Sequence, residues 1–252
     1  MKTKFTLIAA LALVMIYAGC KKSSNAPATS TVPDSQISLQ VVQNLVSILN
    51  GGFGYDPATG KIANGLKKSG SHLKVNSTTG NGCSMAFDTT LNFSEKIDTI
   101  STTMKGEIKL SAICNNGASP TITLFENYTF GLATPHISAN YKLGANLTFE
   151  IADVNNSPLF TYDGNISIDA DLNYLLGAKG SSKQSYAYTF HTITVDESGI
   201  KGGSADFTTT GSGSTGSWNY KGTVKFLGNN KADIVLNGKT YHVDLTTGAV
   251  TV

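Results

Sequence analysis

Asp169 and Asp171 are the first pair of side chains to weigh for chemistry. They stand two residues apart in a segment that alternates polar and apolar, so both carboxylates share one face about 7 Å apart. Paired carboxylates do acid/base work or hold Ca²⁺. Asn165 and Asn173 lie on the same face, and Ile166, Ile168, Ala170 and Leu172 on the other. This makes the pair the wet side of an amphipathic strand, and the twelve-residue calcium-loop pattern is missing. His72, His136, His191 and His242 are scattered. A hydrolytic triad could still assemble in space from His242 and Asp244 or others, because triads are defined by geometry and not by order. No G-x-S-x-G, H-E-x-x-H or C-x-x-C occurs. Gly211-Ser212-Gly213-Ser214-Thr215-Gly216 does spell G-x-G-x-x-G, but a dinucleotide site needs a buried strand before the motif and a helix after it. Polar Thr208-Thr209-Thr210 precedes it and alternating Trp218-Asn219-Tyr220 follows, which describes a hairpin tip. The expectation is therefore no catalytic residue, no metal site and no cofactor.

Charge excludes further classes. The chain carries a formal charge of +2, and Lys2 and Lys4 account for all of it. No arginine is present. Nucleic-acid binding shows a basic stripe, and guanidinium is the group best suited to bidentate phosphate recognition. Nucleic acids and other polyanions are not expected partners.

Three cysteines remain to be placed. Cys83 and Cys114 are equally far from Asp98-Thr99. A hairpin folded there sets Cys83 against Cys114, Met85 against Ala112, Phe87 against Leu110, Thr89 against Ile108 and Phe93 against Met104. Apolar residues coincide on one face, so this register is specified without the cysteines. The pair is expected to form a cross-strand disulfide, since neither has metal-ligand neighbours at ligand spacing.

These residues are positioned by strands. In 137–151 every odd residue but none of the even ones is apolar, from Ile137 to Ile151. Such alternation means one buried and one wet face, an antiparallel signature. In 186–195 the apolar parity switches between Phe190 and Ile193, which predicts a bulge near His191 and Thr192. Asn237-Gly238 is a strong two-residue hairpin signal and sets Ile234 opposite Tyr241. Tyr55–Ile62 also reads as a tight hairpin. One helix is expected, over 36–49, with Ile37, Val41, Leu45 and Ile48 on a broad apolar stripe and Asp34 or Ser35 as its cap. The fold class is mainly β: a curved antiparallel sheet or barrel-like meander of about 8–11 strands, with the helix on its apolar face.

The leader supplies the location. Lys2 and Lys4 precede an apolar run, Phe5–Gly19, which ends Ala18-Gly19-Cys20. A basic head, a short apolar body and a small-residue cleavage site make a secretory signal. Ala-Gly-Cys at its end resembles the lipobox of bacterial lipoproteins. That resemblance covers about the first 20 residues and implies that Cys20 is lipidated and becomes the mature N-terminus. Lys21 after it, in place of Asp, resembles lipoproteins sorted to the outer membrane. The expected organisation is a signal peptide over 1–19, the lipidated Cys20 and a tether over 20–35, and one β-rich domain over 36–252. The expected location is the outer membrane, on its periplasmic or cell-surface side. The expected role is a non-catalytic binding or scaffolding module; the alternative is a carrier of a lipid or other hydrophobic molecule. A glycan or a lipid is the candidate ligand; exposed aromatics such as Tyr186, Tyr188 or Trp218 could stack on sugars, although core packing is the commoner fate of each.

An exported chain meets an oxidising compartment. Thiol titration of the exported, denatured protein without reductant is expected to find neither Cys83 nor Cys114 reactive. Replacing both by serine is expected to cost about 3–4 kcal/mol of stability.

Overall fold

The two-residue period carries through almost the whole structure. The computed structural model describes residues 32–49, 55–56, 61–62, 85–113, 121–153, 159–176, 180–196, 199–214, 216–245 and 249–251. The leader, Cys20, Cys83 and Cys114 lie outside the described residues. Helix α1 (Asp34–Leu49) comes first. A two-stranded ladder follows, β1 (Tyr55–Asp56) with β2 (Lys61–Ile62), where the turn chemistry of Asp56-Pro57 and Gly60 predicts it.

The remaining strands are β3 (Met85–Ile97), β4 (Ile100–Ile113), β5 (Thr121–Ala133), β6 (Ile137–Asp153), β7 (Leu159–Tyr174) and β8 (Gly180–Asp196). They continue with β9 (Gly199–Gly213), β10 (Gly216–Gly228), β11 (Lys231–Leu236), β12 (Lys239–Asp244) and β13 (Val250–Thr251). All eleven form one antiparallel sheet in which every strand pairs only with its neighbours in sequence. The sheet is open, with β3 at one edge and β13 at the other, so the barrel closure weighed above is not formed.

The expected register is present. Met85 faces Ala112, Phe87 faces Leu110, Thr89 faces Ile108 and Phe93 faces Met104. Asp98 takes a positive φ of 52° at the turn. Asn237 and Gly238 both have positive φ, as a type I′ turn requires, and Ile234 faces Tyr241. The parity switch in β8 is a bulge: Gly164 pairs with Phe190 but Tyr162 pairs with Ile193. Thr192 adopts a φ of 48° there, and its N–H donates to Asp163 Oδ1 at 2.6 Å.

Inward positions of successive strands form rows. Ile108, Glu126, Ala145, Ile166, Tyr188 and Phe207 stand side by side on six strands. Ile37, Val41 and Leu45 of α1 belong to the same buried cluster as this face. Three tyrosines bind the segment that carries them. The Tyr220 hydroxyl donates to the Val32 carbonyl at 2.9 Å, Tyr186 to Gln40 Oε1 at 2.9 Å and Tyr188 to the Val41 carbonyl at 3.4 Å. The helix begins earlier than the sequence pattern places it, because the Pro33 carbonyl accepts from the N–H groups of Gln36 and Ile37. Asp34, expected as a cap, instead accepts from Asn237 Nδ2 at 3.2 Å with its side chain.

The G-x-G-x-x-G segment closes β9 onto β10, with Gly213 paired to Gly216 and Gly211 to Trp218. A Cβ on Gly211 would lie 2.1 Å from the Trp218 ring. This glycine exists to admit an indole, whose Nε1–H donates to buried Thr209 Oγ1 at 3.0 Å. Gly211→Ala is expected to destabilise the protein by about 1–3 kcal/mol through overpacking, read as a lowered urea midpoint with an unchanged slope.

Candidate functional site

The two faces of the sheet offer different chemistry, and the sequence-derived candidates divide between them. Tyr186, Tyr188 and Trp218 are all buried. They stand on the inward parity with Phe190 and Phe207, so none can stack on a ligand at the surface. All three take the commoner fate of such aromatics, packing in the core. Burial pushes the Tyr186 and Tyr188 phenols well up from the ordinary value, so both stay protonated donors toward α1.

Asp169 and Asp171 point outward, each facing a lysine across the sheet. Asp169 pairs with Lys142, and Asp171 lies 3.7 Å from Lys183. His242 turns to Asp233 on the neighbouring strand, with Nδ1 and Oδ1 2.7 Å apart. His191 and Asp206 form a similar exposed pair at 2.9 Å. Cross-strand neighbours thus decide the partners of both histidines: the Asn237-Gly238 hairpin that sets Ile234 opposite Tyr241 also sets Asp233 opposite His242, whereas the His191–Asp206 pair lies beside a bulge that spacing along the chain does not resolve. Among the described residues, no group of three or more His, Cys, Asp or Glu is placed to hold a metal ion.

A shallow trough of about 310 Å³ crosses the wet face over β5–β8. Its walls are two rows of outward side chains. Phe125, Asn146, Asn165 and Thr189 make one; Asn127, Gly144, Ser167 and Ala187 make the other. Between them the floor is backbone, contributed by Glu126, Ala145, Ile166 and Tyr188, whose side chains point to the opposite side. Gly144 and Ala187 keep the second wall low. Thr189 Oγ1 donates to Asn165 Oδ1 at 2.9 Å. This fixes the Asn165 amide so that its NH₂ remains to donate. At one end the half-exposed Phe125 ring lies 5.6 Å from the Lys109 ammonium, which Glu107 holds at 2.8 Å. No ionisable side chain points into the trough itself. Amides, hydroxyls and one aromatic ring can bind a neutral, hydroxyl-rich ligand; they cannot activate a nucleophile.

Beneath the trough, on the inner face, Glu126 is the residue that sequence reasoning missed. In β5 the inward positions read Ile122, Leu124, Glu126, Tyr128, Phe130 and Leu132, a single acid in an apolar row. That parity was the available signal. Glu126 is 1% exposed, and its Oε1 has no hydrogen-bond partner. Burial lifts its pKa from 4.5 to about 8, so it is a neutral carboxylic acid at pH 7. The buried Tyr141 hydroxyl, further along the same face, also lacks a partner.

Compared with protein-family models, with curated proteins and with solved structures, the chain has no match.

Because the folded-state pKa of Glu126 lies above the unfolded value, the folded state binds the extra proton between those two values. Its contribution to stability is complete below about pH 4.5 and is lost as pH rises through about 8, with a slope near 1.4 kcal/mol per pH unit inside that window. Glu126→Gln is expected to flatten this part of the stability–pH curve, measured by urea unfolding from pH 5 to 9. An unchanged slope would place the carboxylate in contact with water or a partner.

Proposed function

We propose that the protein is a non-catalytic binding module, held at the outer membrane by a lipid on Cys20, whose ligand surface is the wet face of the sheet. The trough over β5–β8 carries this reading: it is the place where aromatic, amide and hydroxyl groups converge without a charged side chain among them. The lipobox resemblance at Ala18-Gly19-Cys20 and the neutral processed chain agree with it. Helix α1, seated by Tyr186, Tyr188 and Tyr220, acts as a plug on the apolar side and leaves binding to the other.

One observation favours the second reading, a carrier of a lipid or other hydrophobic molecule. Glu126 brings an unpaired carboxyl oxygen to the apolar face, and an amphipathic guest with a hydroxyl or amide head would pair it.

Labelling cells with radioactive palmitate is expected to mark the native chain and not the Cys20→Ser variant. Phe125→Ala with Asn146→Ala is expected to weaken retention on immobilised envelope polysaccharide at least tenfold while leaving the melting temperature unchanged. Native mass spectrometry decides between the readings: a lipid that leaves on Glu126→Gln establishes the carrier, and a bare chain removes it.

A further inference from the structure

Hairpin tips are ordinarily polar, yet two tips at one end of this sheet are greasy. Ile97 and Ile100 flank the β3–β4 turn with 50% and 41% exposure, and Leu175 and Leu176 follow β7 with 43% and 56%. Four of the large exposed apolar side chains therefore sit at two turns. Ile113 and Leu227, at the opposite end, stand alone on distant strands.

The register sets these turns level. Ser101, Ala133, Ser138, Asn173 and Ser181 form one line across β4–β8, and the β3–β4, β5–β6 and β7–β8 connections project just beyond it. Lys183 pairs with Ser212, so the β9–β10 tip reaches the same line. The Leu175 N–H donates to the His136 carbonyl at 2.9 Å, which ties the β7–β8 tip to the β5–β6 turn. The result is a rim, a row of turns level in register along one end of the sheet. Lys96 and Asp98 bring opposite charges to its β3–β4 tip beside the exposed Ile97 and Ile100.

The chain outside the described residues meets the domain near this rim. Residues 21–31 separate Cys20 from Val32, whose carbonyl is fixed by Tyr220. Tyr220 pairs with Thr209, Thr209 with Tyr186 and Tyr186 with Ile168. Ile168 lies five residues from Asn173 on the rim line and nine from Leu159 at the far end of β7. At 3.4 Å per residue these are about 17 Å and about 31 Å. A coil joining Cys20 to Val32 has a root-mean-square span of about 20 Å, close to the distance to the rim, whereas reaching the far end would require drawing it out well beyond that span, at a cost in chain entropy.

We propose that this rim is a membrane-docking edge, with Ile97, Ile100, Leu175 and Leu176 entering the lipid surface to which Cys20 anchors the chain. The proposal rests on the anchored-module reading for its geometry, and it is tested separately from it. Hydrogen exchange on the native acylated protein in phosphatidylethanolamine–phosphatidylglycerol vesicles, compared with detergent micelles, is expected to slow at 97–100 and 174–176 and not at the Asn229-Asn230 turn. Processed chain without acyl groups, residues 21–252, is expected to co-sediment with the same vesicles in 0.5 M as in 0.05 M NaCl. The combined Ile97→Ser, Ile100→Ser, Leu175→Ser and Leu176→Ser variant is expected to lose at least tenfold of that binding with an unchanged melting temperature. Co-sedimentation that is absent, abolished by salt or indifferent to the four serines overturns the rim. So does self-association without vesicles that the serines abolish, which would make the rim a contact between copies. A native mass without acyl chains defeats the anchor alone, and the sedimentation result still decides the rim.

Discussion

Everything in this domain depends on a two-residue pleat kept in phase across eleven strands. A slip of one residue at any ladder would send a strand's apolar row into water and its lysines inward. The phase is held by turns that admit only one register. Asp98, Asn229, Asn230 and Asn237 take positive φ at three of them. Where the phase must change, in β8, the Thr192 bulge absorbs the extra residue and Asp163 supplies the acceptor for its N–H. Because each strand pairs only with its sequence neighbours, no long-range crossover has to form before the sheet can propagate.

The two faces share one backbone but obey different rules. Outward, a strand can present asparagine, serine and threonine at no desolvation cost, and the trough is the place where small residues let those groups converge. Inward, each polar atom needs a partner or costs free energy. Most have one: the Trp218 indole has Thr209, and the Tyr186, Tyr188 and Tyr220 hydroxyls have the segment from Val32 to Val41. Those hydroxyls do more than satisfy themselves. Apolar contact alone lets a helix slide over a smooth face, whereas directional bonds at three points choose its position. Glu126 and the Tyr141 hydroxyl are the exceptions, and Glu126 lowers the cost of its burial by keeping its proton.

The functional readings follow from this division. A face without convergent reactive groups suits recognition, an apolar face plugged by a helix suits stability, and an aliphatic edge suits contact with lipid. On the proposed reading, a chain held by its rim would present the wet face sideways to the membrane.

By itself the sequence determined the strand-rich class, the β3–β4 register, the bulge, the hairpin at Asn237-Gly238 and the strand-to-strand turn at the G-x-G-x-x-G segment. All are local: they follow from parity and turn chemistry within some thirty residues. Tertiary structure alone decided that His191 meets Asp206 and that the sheet stays open. It also decided that asparagines from three strands line one trough and that distant turns form one rim. The physical reason is that parity assigns a side chain to a face, whereas neighbours on that face come from other strands, at distances along the chain that no local pattern encodes.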